Sequence, residues 1–172
     1  MMKVLSLLQP WASLLVTPLA EKSSKAAKSW ETRSWRPREE IRKLIQEDGM
    51  LIHASKKWNK DQRALLDEWP FKDYLGTDYE FPFSAIIGWV RVGDIIPTET
   101  WISRFSHFAD GAAERYAEEL RFGNYQPDRF AWEIKEFVKF DEPFTGVNGS
   151  LNLWECPKQL MQQIENNMTT KS

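Results

Sequence analysis

Ala85-Ile86-Ile87-Gly88-Trp89-Val90 is an unbroken apolar run inside the longer segment Ser84 to Ile96, which Pro97 closes. A run of that length and β-branched content predicts a strand buried on both faces, central in a sheet. Further strands stand on either side of it in the sequence. Val4 to Leu8 reads as a short buried strand bounded by Gln9-Pro10, and Met50 to Ala54 as a second. Arg129 to Ile134 alternates, with Phe130, Trp132 and Ile134 on one face and Phe137-Val138 extending it. Leu151 to Trp154 supplies a last short strand after turns at Pro143 and Gly146 to Gly149.

Helical patterns separate these strands. Pro10 suits the start of a helix in which Trp11, Leu14 and Leu15 fall at helical spacing until Pro18. Glu39 to Ile45 is amphipathic and ends at Gly49, and Trp58 to Trp69 is a second such helix with Asn59 at its start. Residues 70–83 predict a long loop, 98–120 a helical or irregular stretch that is firmest from Ala112 to Leu120, and 123–128 a turn. The tail from Pro157 predicts a helix that frays toward the end. This order predicts an α+β fold with a curved, mostly antiparallel sheet or small barrel. With 172 residues and no linker, the chain predicts a single domain over 1–157 and a tail over 158–172.

Composition narrows the function. The single cysteine excludes an intramolecular disulfide and any cysteine-based zinc cage, and His53 and His107 are too isolated in sequence to suggest a metal site. No phosphate-binding glycine loop, dinucleotide fingerprint or nucleophile elbow is present, so no cofactor is expected. No stretch approaches the roughly 20 apolar residues of a membrane span, and a cytoplasmic protein is the expectation. The net charge of −2 argues against strong nonspecific nucleic-acid binding, but the charge is unevenly spread. Residues 21–63 hold 12 basic and 7 acidic residues, against 11 and 18 elsewhere. A basic first third on an acidic body suits a localised surface facing phosphate. Nine tryptophans exceed what a core of this size requires, which points to indoles used in recognition.

The chemistry concentrates in Lys28-Ser29-Trp30-Glu31-Thr32-Arg33-Ser34-Trp35. The segment is too polar for a core strand and too aromatic for an ordinary loop, and its Trp and Thr content favours extended backbone. In a flat strand Glu31, Arg33 and Trp35 share one face, and Lys28 joins them only if the chain turns just before Ser29. Gln9 stands at a strand-to-helix junction. His53 lies on its strand beside Lys56, where a hydrogen-bonded structural role is its commonest fate.

Taken together, Leu5-Ser6-Leu7-Leu8-Gln9-Pro10-Trp11-Ala12-Ser13-Leu14-Leu15, Lys28-x-x-Glu31-x-Arg33-x-Trp35, Ile52-His53-Ala54-Ser55-Lys56, Ala85-Ile86-Ile87-Gly88 and Phe130-Ala131-Trp132 resemble an ASCH (activating-signal-cointegrator homology) domain. The resemblance runs from residue 4 to about 155. It implies a PUA-like small β-barrel of mostly antiparallel strands flanked by helices, with a cleft lined by the start of the first helix and the Lys-x-x-Glu-x-Arg segment. It further implies binding of RNA or a nucleotide, while the lack of a long apolar stretch leaves no membrane partner expected. Two stretches, Pro18 to Ala27 and the helix at 38–48, look inserted relative to the family pattern and border that cleft.

On the binding reading, Gln9, Trp11, Lys28, Glu31, Arg33, Trp35, His53 and Lys56 form the site. Lys28 and Lys56 meet phosphate or a base carbonyl, Arg33 makes a bidentate contact and Trp11 or Trp35 stacks on a base. Glu31 accepts from an exocyclic amine, favouring cytosine or adenine over uracil. The alternative is an amidohydrolase, implied by a family relative that acts on acetylcytidine through a lysine, a hydroxyl residue three positions later and a distant glutamate. Lys28 matches that lysine, but Glu31 stands where the hydroxyl residue is expected. In that scheme Glu31 is a general base on water and Lys28 stabilises the oxyanion. Ribonuclease activity is a third, weaker reading.

Overall fold

The run Ala85 to Val90 lies in the middle of a sheet. The computed structural model describes residues 1–76, 78–107 and 112–170. Its strands are β1 (Lys3–Leu7), β2 (Trp30–Arg33), β3 (Met50–Ala54), β4 (Ala85–Pro97), β5 (Phe130–Thr145) and β6 (Leu153–Glu155). They pair in the order β2-β5-β4-β3-β1-β6, so β4 has a partner on both edges, as its apolar run requires. Only β1 and β3 run parallel; the other pairings among the described residues are antiparallel. The helices are α1 (Trp11–Leu14), α2 (Glu39–Glu47), α3 (Lys60–Ala64), α4 (Phe71–Tyr74), α5 (Thr98–Phe105), α6 (Ala112–Phe122) and α7 (Lys158–Thr170).

The sheet curls into a half-barrel. In a flat sheet β2 and β1, four places apart, would be separated by roughly 19 Å at about 4.8 Å per strand. Instead the Arg33 guanidinium donates from β2 to the Ser6 carbonyl on β1 at 3.3 Å. Alternation then sorts the strands onto two faces. Leu5, Ile52, Val90 and Trp132 point into the curl, where Ala12 and Leu15 near α1 and Ile45 of α2 pack on them. Val4, Leu51 and Ile86 point outward and are covered by Ile164 of α7.

Several elements depart from the sequence-based expectation, each for a tertiary reason. The predicted helix 58–69 is α3, capped by Asn59 and Gln62 in a reciprocal capping box, followed by a tight 3₁₀ turn at Leu65–Asp67. The predicted loop 70–83 contains α4, whose Phe71 is buried against Leu14, Leu66 and Phe122. β5 continues through Pro143, where a turn was expected. Its pairing with β4 steps from Gly88↔Lys139 to Ile86↔Phe144, so Pro143 falls in an irregularity where its missing N–H costs no ladder bond. The helix expected after Pro157 is α7, which runs on to Thr170 through the residues where fraying was expected; Ile164, 0% exposed, anchors it to the sheet. The predicted features at 77, 108–111 and 171–172 lie outside the described residues. No described helix is long and apolar enough to cross a membrane.

Candidate functional site

β2 enters the sheet from a tightly held approach. Ala27 N–H donates to Thr17 O at 2.7 Å and Lys28 N–H to Leu14 O at 3.2 Å, which turns the chain just before Ser29. Ser29 N–H donates to a Glu119 carboxylate oxygen at 2.7 Å. Lys28 is thereby brought to the Glu31 side of the strand, the condition that strand geometry demanded. Its Nζ donates to Glu31 Oε1 at 2.7 Å and to Trp30 O at 2.8 Å. Glu31 Oε1 also accepts from Thr32 N–H at 3.0 Å, and Oε2 accepts from Arg33 Nη2 at 3.1 Å. The result is a Lys28–Glu31–Arg33 relay running from the interior to the cleft. Burial pushes the Glu31 carboxyl up, but Lys28 and Arg33 outweigh it and hold it below the usual carboxylate range.

Behind the approach lies a second charged cluster. Arg115 of α6 donates to Glu118 at 3.1 Å, to Glu119 at 2.8 Å and to the Ala27 carbonyl at 3.0 Å. Tyr74 donates its hydroxyl proton to Glu118, and burial pushes the Tyr74 phenol well up. Burial also pushes the Glu119 carboxyl up to about 7, against the opposing pull of Arg115. This cluster fixes α6 to the start of β2.

The open mouth of the half-barrel is a cleft of about 1070 Å³. Of the residues expected from sequence, Trp11, Glu31, Arg33, Trp35, His53 and Lys56 line it. Gln9 and Lys28 are not among its lining residues. Gln9 is buried, with its side-chain carbonyl accepting from Ser13 N–H and its amide donating to Pro82 O, both at 3.0 Å. Lys28 is 1% exposed, and its ammonium is spent on Glu31 and the strand. A lysine that completes a buried ion pair has no freedom to meet a phosphate.

His53 lines the cleft but is held at both ring nitrogens. A carbonyl only accepts, so Nε2 carries the proton donated to Val147 O at 2.7 Å, and Nδ1 accepts from the Ser6 hydroxyl at 3.0 Å. Trp154 Nε1 donates to the same Ser6 oxygen at 3.0 Å. Burial lowers the His53 pKa more than the Val147 carbonyl raises it, so the ring is a neutral latch. Trp35 packs edge-on against buried Trp132, with ring centres 5.2 Å apart, which sets the orientation of its indole.

The cleft also gathers residues that the sequence reading passed over: Arg121, Gly123 and Asn124 from the end of α6, Arg129 at the start of β5, and Asn148 to Asn152. The Arg33↔Phe130 register puts Arg129 beside the motif strand, a long-range pairing that no local pattern announces. Among the described residues, the charged lining is Arg33, Lys56, Arg121 and Arg129 against Glu31; Glu31 is shared between Lys28 and Arg33, and Arg121 pairs with the exposed Glu68 at 3.0 Å. No described group of three or more His, Cys, Asp or Glu residues is arranged to hold a metal ion.

No protein-family model matches the sequence, and no curated protein does. Among solved structures, a single-substitution variant of the ASCH protein of Zymomonas mobilis matches over 96% of each chain with a TM-score of 0.50 and 14% identity. The chain has the ASCH-domain fold. The unsubstituted Z. mobilis ASCH protein covers 96% of this chain and 94% of its own, at 14% identity and a TM-score of 0.49. At 14% identity the likeness to the variant speaks for the fold alone, and the chemistry of the cleft rests on this chain's own residues.

Proposed function

We propose that this ASCH-fold protein binds RNA or a nucleotide, holding one unpaired or modified base in the cleft. One observation carries the reading: in a chain of net charge −2, the cleft collects Arg33, Lys56, Arg121 and Arg129 beside the indoles of Trp11 and Trp35. Cations neutralise phosphate and indoles stack on a base whatever its identity. Glu31 Oε2, which accepts a single hydrogen bond within the protein, retains capacity for an exocyclic amine, favouring cytosine or adenine over uracil.

Hydrolysis is the less favoured reading. A carboxylate that accepts from Lys28, Thr32 and Arg33 and is held below its usual pKa is a weak general base, and the Lys28 ammonium is already engaged. Tryptophan fluorescence quenching by short single-stranded RNAs tests binding. Saturable quenching is expected, about tenfold weaker in Arg33→Ala, with the unfolding midpoint confirming an intact fold. Equal affinity in both proteins, or none in either, refutes the assignment.

A further inference from the structure

One lip of the cleft is the loop from Gly146 to Asn152. It starts at φ +72° on Gly146 and ends at φ +59° on Asn152, left-handed conformations that turn the chain sharply at both ends. Its first half is clamped. The Val147 carbonyl accepts from His53 Nε2 at 2.7 Å and the Val147 N–H donates to Ser84 O at 2.9 Å. Gly149 lies so close to the same imidazole and to Ser6 that an added Cβ would fall 2.7 Å from each. The second half, Ser150 to Asn152, stands off the body with all three residues exposed.

At the centre of that exposed half is Leu151, 87% exposed and a lining residue of the cleft. Isolated surface leucines are ordinary. This one is different in its setting: it is carried on a loop pinned at two points, between polar Ser150 and Asn152, in the same cleft as the Trp11 and Trp35 indoles. A nucleobase is a flat plate with apolar faces and polar edges. An indole can take one face by stacking and an aliphatic side chain the other, while serine and asparagine side chains reach the edge.

Resting on the base-binding reading above, we propose that Leu151 is a recognition residue whose side chain covers the free face of the bound base. The ligand class that follows is a planar heteroaromatic ring on a sugar phosphate, and not a sugar phosphate alone. The base loses water on both faces when it binds, and so does Leu151.

The test is calorimetric titration of the unaltered protein and Leu151→Ala with a short unstructured RNA, AMP, CMP and ribose 5-phosphate. Because the side chain is exposed, the unfolding midpoint of Leu151→Ala should match that of the unaltered protein. Base-bearing probes should bind the variant about tenfold more weakly, as expected for losing part of a leucine contact. The deficit should persist at low and high salt, unlike that of Arg33→Ala. Ribose 5-phosphate should bind both proteins alike. Unchanged affinity for the base-bearing probes, or an equal loss with ribose 5-phosphate, overturns the role of Leu151 while leaving base binding intact. Failure of every base-bearing probe to bind the unaltered protein overturns the base-binding reading and this inference with it.

Discussion

Replacing Glu31 by glutamine probes the relay that organises the motif strand. Lys28 is 1% exposed and Glu31 5%, and their charged atoms are 2.7 Å apart, so the substitution leaves an ammonium buried without its counter-charge. Breaking a buried pair from one side costs about 3–5 kcal/mol. The lower end applies here for two reasons. Glutamine keeps an oxygen that can accept from Lys28 and from Thr32 N–H, and the Arg33 side chain, 25% exposed, recovers water when it loses Glu31 Oε2. A loss of about 3 kcal/mol moves a urea midpoint down by about 1.5 M if the slope is about 2 kcal/mol/M. The double substitution Lys28→Met with Glu31→Leu removes both charges and should recover most of the loss. The pH dependence has a definite sign. Glu31 titrates below its ordinary 4.5 in the folded protein, so its contribution is fully present above pH 4.5 and lost as pH falls through the lower folded value. The gap between Glu31→Gln and the unaltered protein should therefore close in acid. A midpoint shift under about 0.5 M at neutral pH, or a double variant no more stable than the single one, refutes the buried-relay argument.

Two further outcomes follow from the site's surroundings. Gly149→Ala places a methyl 2.7 Å from His53 Cε1 and Ser6 Oγ, side chains that hydrogen bonds hold in place, so the loop must lift. Urea unfolding should show a loss of about 1–3 kcal/mol, RNA quenching should show weakened affinity, and full retention of both contradicts the clamped loop. Glu119 has the opposite linkage to Glu31. With its carboxyl pushed up to about 7 from 4.5, the folded protein keeps a proton that the unfolded chain has lost, so this group makes stability fall as pH rises between those values. Urea midpoints at the two ends of that window should show a smaller fall in Glu119→Gln, and parallel pH profiles count against the assignment.

Much of the scaffold was legible along the chain because its signals are local. The apolar run at 85–90 announced a strand paired on both edges, and the alternation of Glu31 and Arg33 put them on one face, where the structure joins them. Asn59 marked a helix start through its own side chain. The fate of Lys28 was stated in the sequence only as a condition, a turn before Ser29, and the hydrogen bonds of Ala27 and Lys28 to Thr17 and Leu14 meet it. Those same contacts bury the ammonium and remove it from the cleft.

Local pattern had no access to which chain ends converge. Arg129 joins the motif because β5 pairs with β2, and Arg121 because α6 is bolted to the β2 approach through Arg115 and Glu119. Gln9, a strand-to-helix junction by sequence, is buried because Pro82 and Gln62 close over it. Periodicity reports what each residue does within its own element, and that was enough to give the strands, the paired face and the basic first third. The cleft comes from the curl of the sheet, which brings β1 within reach of the Arg33 side chain on β2, and from long-range burial, which spends some charges in the interior and leaves Arg33, Lys56 and Arg129 at the mouth.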